Sequence, residues 1–163
     1  MRLRLAAAVL AIGIVVACNL DTGTGTSVIS TNPVIPIDSQ TFATSLGINL
    51  SQFTKTASGL YYRDVVVGTG TVYTVNHTVG VYYIGQLADG TQFDARSAPS
   101  AVFSFILGAG NVIMGWDEGL VGMRIGGKRV LIVPPSLGYG AVNNGSIPGN
   151  SNMVFTVDAV SFQ

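Results

Sequence analysis

Charged residues and cysteine are both scarce in this chain of 163 residues. Only 10% of the residues are charged and the formal net charge is zero, against roughly 25% charged residues in a typical globular protein. The sequence therefore lacks the basic surface that nucleic-acid binding requires. Its one cysteine, Cys18, excludes an intramolecular disulfide. With His77 as the only histidine, a Cys/His zinc site is also excluded, and we expect neither a metal nor a cofactor.

The first residues have the pattern of an export signal. Arg2 and Arg4 precede an uncharged apolar run over residues 5–17, which is too short for a bilayer span of about 20 residues. The run ends in Val-Val-Ala followed by Cys18, which resembles a bacterial lipobox. We expect residues 1–17 to be a signal peptide and Cys18 to be lipidated, so that the protein is exported and membrane-anchored in a bacterial cell envelope. The alternative is an ordinary signal peptide with Cys18 merely near the cleavage site.

Residues 18–57 are predicted to connect this anchor to a single domain over residues 58–163. From Asn19 to about Gln40 the chain is rich in Thr, Ser, Gly, Asn and Pro, a composition typical of a flexible linker. A short apolar stretch follows, comprising Phe42, Leu46, Ile48, Leu50 and Phe53. These side chains either dock on the domain or form a patch for a partner or a second copy of the chain.

The remaining sequence predicts several strands and one short helix. Residues 79–87 form an apolar strand, and Asp89-Gly90 separates it from residues 91–94, which is a hairpin signal. Residues 128–133 and 152–162 are further strand candidates. Asn111 is predicted to cap a short helix that presents Val112, Ile113, Trp116 and Leu120 to the sheet. This combination is typical of an α+β domain with an antiparallel sheet.

Six aromatic residues are spaced among glycines in the second half of the chain: Tyr83, Phe93, Phe103, Trp116, Tyr139 and Phe155. Asp94 directly follows one of them. The set indicates an apolar pocket with very few polar groups, which would bind a small apolar group and use its polar atoms for orientation. Proline is the natural candidate.

Three segments resemble the FKBP-type peptidyl-prolyl isomerases. They are residues 81–95 (VYYIGQLADGTQFDA), 103–123 (FSFILGAGNVIMGWDEGLVGM) and 134–140 (PPSLGYG), and the resemblance extends over residues 57–162. It implies a strongly bent antiparallel sheet, of about five strands, wrapped around one short α-helix. It also implies catalysis of rotation about X-Pro bonds in unfolded or exported polypeptides, and affinity for macrolide inhibitors of the tacrolimus type.

The resemblance also implies roles for individual residues. Trp116 would form the floor under the proline ring, Tyr139 and the main-chain amide of Ile113 would donate hydrogen bonds to substrate carbonyls, and Asp94 would orient Tyr83 without acting as a general base. The catalytic set is Tyr83, Phe93, Asp94, Trp116, Tyr139 and Phe155. The substrate-binding set is Phe103, Val112, Ile113 and Ile147. Phe105 is interpreted as core.

Two positions depart from the family pattern. An arginine that often pairs with the aspartate is replaced by Pro99, with Arg96 the nearest basic residue. The loop of residues 142–149 (VNNGSIPG) lacks a family histidine and is one residue shorter. The competing hypothesis is a non-catalytic binding module or holdase chaperone that uses the same pocket. No chaperone domain is inserted here, because Val133 runs directly into Pro134.

Overall fold

A computed structural model of the protein describes residues 29–163. The predicted signal peptide and Cys18 lie outside this range. The strands within residues 29–163 are β1 (Thr54–Lys55), β2 (Tyr61–Val66), β3 (Thr78–Leu87), β4 (Gln92–Arg96), β5 (Phe103–Ile106), β6 (Lys128–Val133) and β7 (Met153–Phe162). The helix α1 spans Met114–Gly119, and single 3-10 turns occur at Ile37–Ser39, Thr44–Leu46, Leu50–Gln52 and Pro135–Leu137.

All seven strands join one antiparallel sheet. Six of them follow the order β1-β2-β6-β7-β3-β4. β5 also pairs with β3, on residues that β4 does not reach. The predicted α+β class, an antiparallel sheet wrapped around one short helix, is confirmed. The described residues contain seven strands where the sequence predicted about five. The two-residue β1 is added at one edge, and β4 and β5 share β3 as their neighbour.

The alternation of side chains along β7 separates two hydrophobic clusters. Met153, Phe155 and Val157 belong to the main core on the inner face of the sheet, whereas Val154 points to the outer face. On the inner face the helix α1 packs closely against β6. A Cβ atom added at Gly115 would lie 2.6 Å from a methyl group of Val133. This approach brings Trp116, which is 3% exposed, into the middle of the core.

The outer face of the sheet is covered by residues 37–53. Ile37 is buried there with Tyr61, Val130, Ile132 and Val154. The apolar side chains Phe42, Leu46, Ile48, Leu50 and Phe53 pack around this outer cluster. The prediction of a flexible linker through Gln40 is therefore wrong for its last part, because Ile37 is buried within a stretch whose polar composition pointed to disorder.

Polar contacts also hold this segment. The carboxylate of Asp38 accepts hydrogen bonds from Lys55 Nζ at 2.7 Å and from the Tyr61 hydroxyl. The Lys55 ammonium lies 5.2 Å from the centre of the Tyr61 ring. Within residues 29–163 no helix has the length and apolar character needed to cross a membrane.

The helix α1 begins later than the sequence predicted. Asn111 does not cap it: the N-cap is Ile113, which provides no side-chain hydrogen bond. The Asp117 carboxylate instead accepts hydrogen bonds from the main-chain N–H groups of Gly108 and Gly110, both at 2.8 Å. Val112 and Ile113 therefore precede the helix, in an extended approach that turns them toward the cavity described next.

Candidate functional site

A cavity of about 250 Å³ opens between the inner face of the sheet and the start of α1. The residues that line it are Tyr83, Phe93, Asp94, Phe103, Asn111, Val112, Ile113, Trp116, Tyr139 and Phe155. They come from six separate parts of the chain: β3, the hairpin strand β4, β5, the helix and its approach, the turn after Pro135–Leu137, and β7. All six aromatic residues selected from the sequence therefore meet at one cavity.

Trp116 lies at the bottom of this cavity, with other rings packed against it edge to face. The Tyr83 ring is centred 5.0 Å from it at an interplanar angle of 83°, and the Phe155 ring 5.3 Å away at 84°. Phe103 makes a similar contact at 6.1 Å. Edge-to-face packing is a favourable arrangement of aromatic rings, so these contacts hold the walls of the cavity against Trp116.

Gly85 on β3 makes room for two of these walls. A Cβ atom at this position would lie 2.7 Å from the Phe93 ring and 3.0 Å from the Phe155 ring. Both rings therefore lie directly over the backbone of the strand, 5.6 Å apart and nearly perpendicular. Only glycine permits this close approach.

The rim of the cavity carries a hydrogen-bonded pair. The Tyr83 hydroxyl donates to Asp94 Oδ2 at 2.6 Å, and the main-chain N–H of Ala95 donates to Oδ1 at 2.8 Å. Burial of the phenol, together with this bond to the carboxylate, raises the pKa of Tyr83 to about 12. Tyr83 is therefore a fixed donor to Asp94 at neutral pH.

The partner of Asp94 is thus a tyrosine and a main-chain amide. The ion pairs within residues 29–163 do not include Asp94. Arg96 lies opposite Tyr83 in the β3–β4 register and does not replace the arginine missing at Pro99.

Three further polar groups face the cavity or lie beneath it. Tyr139 is 41% exposed, and its hydroxyl makes no hydrogen bond within the described residues. The Ile113 main-chain N–H likewise donates to no group there. The indole Nε1 of Trp116 is buried without a partner in this part of the chain. Among these three groups only the indole Nε1 is a fully buried donor, and unpaired buried donors are rare in folded proteins.

Two residues differ from the expected lining. Ile147 is 7% exposed and belongs to the main core, but it does not line the cavity. Its main chain pairs with Asn144 through two 2.9 Å hydrogen bonds, a tight turn that directs Ile147 inward. Asn111 lines the cavity and was interpreted from the sequence as a helix cap. Phe105 is buried in the core, as its sequence interpretation proposed.

A larger groove in residues 29–163, of about 630 Å³, lies elsewhere, between residues 32–43, residues 87–89 and residues 148–152. Among the described residues, Phe42 is the single aromatic side chain that lines this groove. No group of three or more His, Cys, Asp or Glu side chains in the described range is arranged to hold a metal ion. The convergence of rings, glycine clearance and unpaired donors therefore assigns the candidate site to the smaller cavity.

An antiparallel sheet wrapped around a short helix, with an aromatic cavity between them, defines a class of protein that binds a small apolar group. Comparison with known proteins identifies the family within that class. The profile described as FKBP-type peptidyl-prolyl cis-trans isomerase matches residues 70–160, and the chain belongs to this family.

Individual proteins agree with this family assignment. The chain is 46% identical over 103 residues to FK506-binding protein 4 of Gibberella zeae, covering 63% of this chain and 21% of that protein. The solved structure of FkpA from Escherichia coli is similar at a TM-score of 0.62 and 39% identity, covering 69% of this chain and 52% of that one. AtFKBP13 gives a TM-score of 0.61 at 33% identity, covering 68% and 98%. The chain spans only 21 to 29% of the length of the first curated relatives it matches.

Proposed function

We propose that this protein catalyses cis-trans isomerisation of X-Pro peptide bonds. The observation that carries the proposal is the cavity of six aromatic rings with Trp116 beneath it and unpaired donors at Tyr139 and Ile113. The cavity volume of about 250 Å³ suits one small ring rather than an extended side chain.

The reaction needs little from the protein beyond a shaped, dry environment. Rotation about the X-Pro bond faces a barrier of roughly 18–20 kcal/mol because the nitrogen lone pair is delocalised into the carbonyl. In the twisted transition state this delocalisation is lost and the carbonyl oxygen carries less charge. An apolar cavity therefore stabilises the twisted form relative to the planar one, which is the differential binding that catalysis requires.

Each polar group of the site has a part in this mechanism. The proline ring lies over Trp116, and the Tyr139 hydroxyl and the Ile113 N–H donate to substrate carbonyl groups. Asp94 holds the Tyr83 hydroxyl, so that the rim presents one arrangement to the substrate. A barrier lowered by about 5 kcal/mol would speed isomerisation by between three and four powers of ten.

We propose that the same cavity binds macrolides of the tacrolimus type, since several relatives are named FK506-binding proteins. Such a ligand would fill the cavity with a small ring and use the same two donors. The macrolide would therefore compete with X-Pro peptides.

Replacing Tyr139 with phenylalanine tests the donor role. The substitution keeps the ring and its volume and removes one hydroxyl that has no partner in the described residues. We expect kcat/KM for an X-Pro tetrapeptide to fall about three- to tenfold, the equivalent of one neutral hydrogen bond. Macrolide affinity should fall as well, whereas the free energy of unfolding should change by less than about 1 kcal/mol.

Tyr62→Phe is the matched control, since its ring lies away from the cavity under the guanidinium of Arg129. Wild-type turnover in a folded Tyr139→Phe protein would remove the hydroxyl from the mechanism. An inactive wild type that still suppresses aggregation of an unfolded client would favour the holdase alternative.

We further propose that the protein is an exported lipoprotein that acts on exported polypeptides. The proposal is supported by the basic start at Arg2 and Arg4, the apolar run that follows, and the small residues immediately before Cys18. Removal of residues 1–17 would leave a mildly acidic protein, which has no electrostatic attraction to anionic lipid. The acyl chains on Cys18 would therefore supply the membrane attachment.

The variant Cys18→Ala tests this attachment. We expect the wild type to sediment with membranes after expression in a bacterium, and the Ala variant to appear in the soluble exported fraction. Metabolic labelling with a fatty acid should mark only the wild type. Equal membrane partitioning of both proteins, with no label on either, would contradict lipidation.

A further inference from the structure

Residues 29–35, called the strap below, run alongside the loop of residues 140–152. The Ser30 main-chain N–H donates to the Ala141 carbonyl at 2.8 Å, and Ile29 forms an antiparallel bridge with Val142. The loop begins directly after Tyr139, one of the residues that line the cavity. Only Gly140 therefore separates Ala141, which contacts the strap, from Tyr139, which lines the cavity.

Side chains of the loop extend the contact along the strap. Asn150 Nδ2 donates to the Asn32 carbonyl at 2.6 Å, and Asn152 Nδ2 donates to the Ile35 carbonyl at 2.7 Å. Asn152 is 3% exposed, so its bond is shielded from water. Most strap residues are exposed, and hydrogen bonds to the loop therefore hold them in place more than apolar burial does.

Gly149 shows how closely the strap and the loop approach each other. A Cβ atom there would lie 2.2 Å from the Ala141 carbonyl oxygen and 2.6 Å from Ser30 Cβ. Ala141, Gly149 and Ser30 are therefore packed so closely that no side chain fits at position 149. A displaced strap would leave Ala141 and Gly149 without the neighbour that packs against both.

The orientation of Tyr139 depends on the main chain around it. Its side chain is 41% exposed and its hydroxyl has no partner within residues 29–163. The following residue is held on both sides: Gly140 N–H donates to Pro135 at 2.9 Å, and the Gly140 carbonyl accepts from Asn150 N–H at 2.7 Å. Asn150 therefore connects Gly140 to the strap: its main-chain N–H bonds Gly140, and its side chain bonds Asn32.

We propose that the strap is a positioning element of the site. By holding Asn150 and Ala141 it fixes the main chain that carries Tyr139, and thereby sets where the Tyr139 hydroxyl meets a substrate carbonyl. Asn150 is a positioning residue because it acts through Tyr139 without touching the substrate. The inference rests on the proposed isomerase function and adds to it a segment that precedes the matched family region.

The variant Asn150→Gly in the full-length protein removes the side-chain bond to the strap. Asn150 has a φ of 62°, which glycine adopts without strain, so the variant keeps the loop conformation available. We expect kcat/KM for an X-Pro tetrapeptide to fall about three- to tenfold. Hydrogen exchange of residues 139–152 should be faster than in the wild type.

Two other variants complete the comparison. Ser30→Pro deletes the donor to Ala141 from the opposite side of the contact and should reproduce both effects. Lys55→Met is the matched control. It deletes a 2.7 Å polar contact to Asp38, which follows the strap in the chain and lies on the outer face of the sheet. Its kcat/KM and the exchange of residues 139–152 should stay within twofold of the wild type.

A double-mutant cycle with Tyr139→Phe separates positioning from general stability. If the strap acts through the Tyr139 hydroxyl, Asn150→Gly should lower kcat/KM less than twofold further in the Tyr139→Phe protein, because the group it positions is already gone. A full additional loss, or wild-type kcat/KM in both Asn150→Gly and Ser30→Pro, would overturn the inference alone. An inactive wild type would instead contradict the proposed function and the inference together.

Discussion

Replacing Asp94 with leucine is expected to lower kcat/KM for X-Pro peptides by roughly tenfold to a hundredfold. The carboxylate accepts a 2.6 Å hydrogen bond from the Tyr83 hydroxyl, and hydrogen bonds to a charged group contribute about 1.5–3 kcal/mol. The Leu variant leaves Tyr83 without its acceptor and removes the only carboxylate that lines the cavity within residues 29–163. Because Asp94 is exposed, the fold should be retained.

Two further variants show how Asp94 acts. Asp94→Asn keeps the shape and an acceptor oxygen without the charge, and should fall between wild type and Asp94→Leu in a protease-coupled isomerase assay. Tyr83→Phe should reproduce most of the loss if the carboxylate works by orienting that hydroxyl. Unchanged kcat/KM in a folded Asp94→Leu protein would exclude the rim pair from the mechanism.

The largest loss of stability is expected from Arg129→Met. Arg129 is 6% exposed and bonds Asp64 with two guanidinium nitrogens, at 2.7 and 2.9 Å. A third nitrogen donates to the carbonyls of Gly119 and Val121, at 2.8 and 3.1 Å. Methionine fills part of the volume but leaves these acceptors unpaired. Since breaking a buried ion pair costs about 3–5 kcal/mol and Asp64 retains some exposure, we expect a loss of about 3 kcal/mol.

The neighbouring residue supplies the control for this measurement. Lys128 pairs with Asp158 at 3.2 Å, and both side chains are more than 40% exposed. Exposed pairs contribute about 0–1 kcal/mol, so Lys128→Met should scarcely move the midpoint of urea unfolding. Equal losses in the two variants would show that the position of the charge in β6, and not its burial, determines the cost.

Local patterns were sufficient to predict the central elements of the fold. Asp89-Gly90 predicted the β3–β4 hairpin, in which Gly90 has a φ of 88°, because a turn of this kind needs a residue that accepts positive φ. The strand over residues 152–162 was also predicted, and the period of two in it separates the side chains of β7 that belong to the inner core from Val154 on the outer face. The aromatic residues of the cavity were found in the same way, from their spacing and the motifs around them.

Features that depend on distant parts of the chain were missed. Ile37 lies in a polar stretch, and its burial depends on an outer sheet face formed by Val130, Ile132 and Val154 much later in the sequence. Asn111 carries the same local signal as a helix cap, and only the packing of α1 shows that it lines the cavity. Arg129 is one cation among several until the fold places Asp64 beside it.

The entry of the chain at Ile29 bears on where the protein can work. A linker that stayed flexible to residue 57 would have let the cavity range as far as roughly 140 Å from its anchor, at about 3.6 Å per fully extended residue. Since the chain is already paired with Val142 at Ile29, the proposed lipid anchor at Cys18 is separated from the edge of the site by a reach of at most about 40 Å. The isomerase would then act only on polypeptides close to the membrane surface, where they emerge during export. X-Pro bonds deeper in the compartment would be out of its reach.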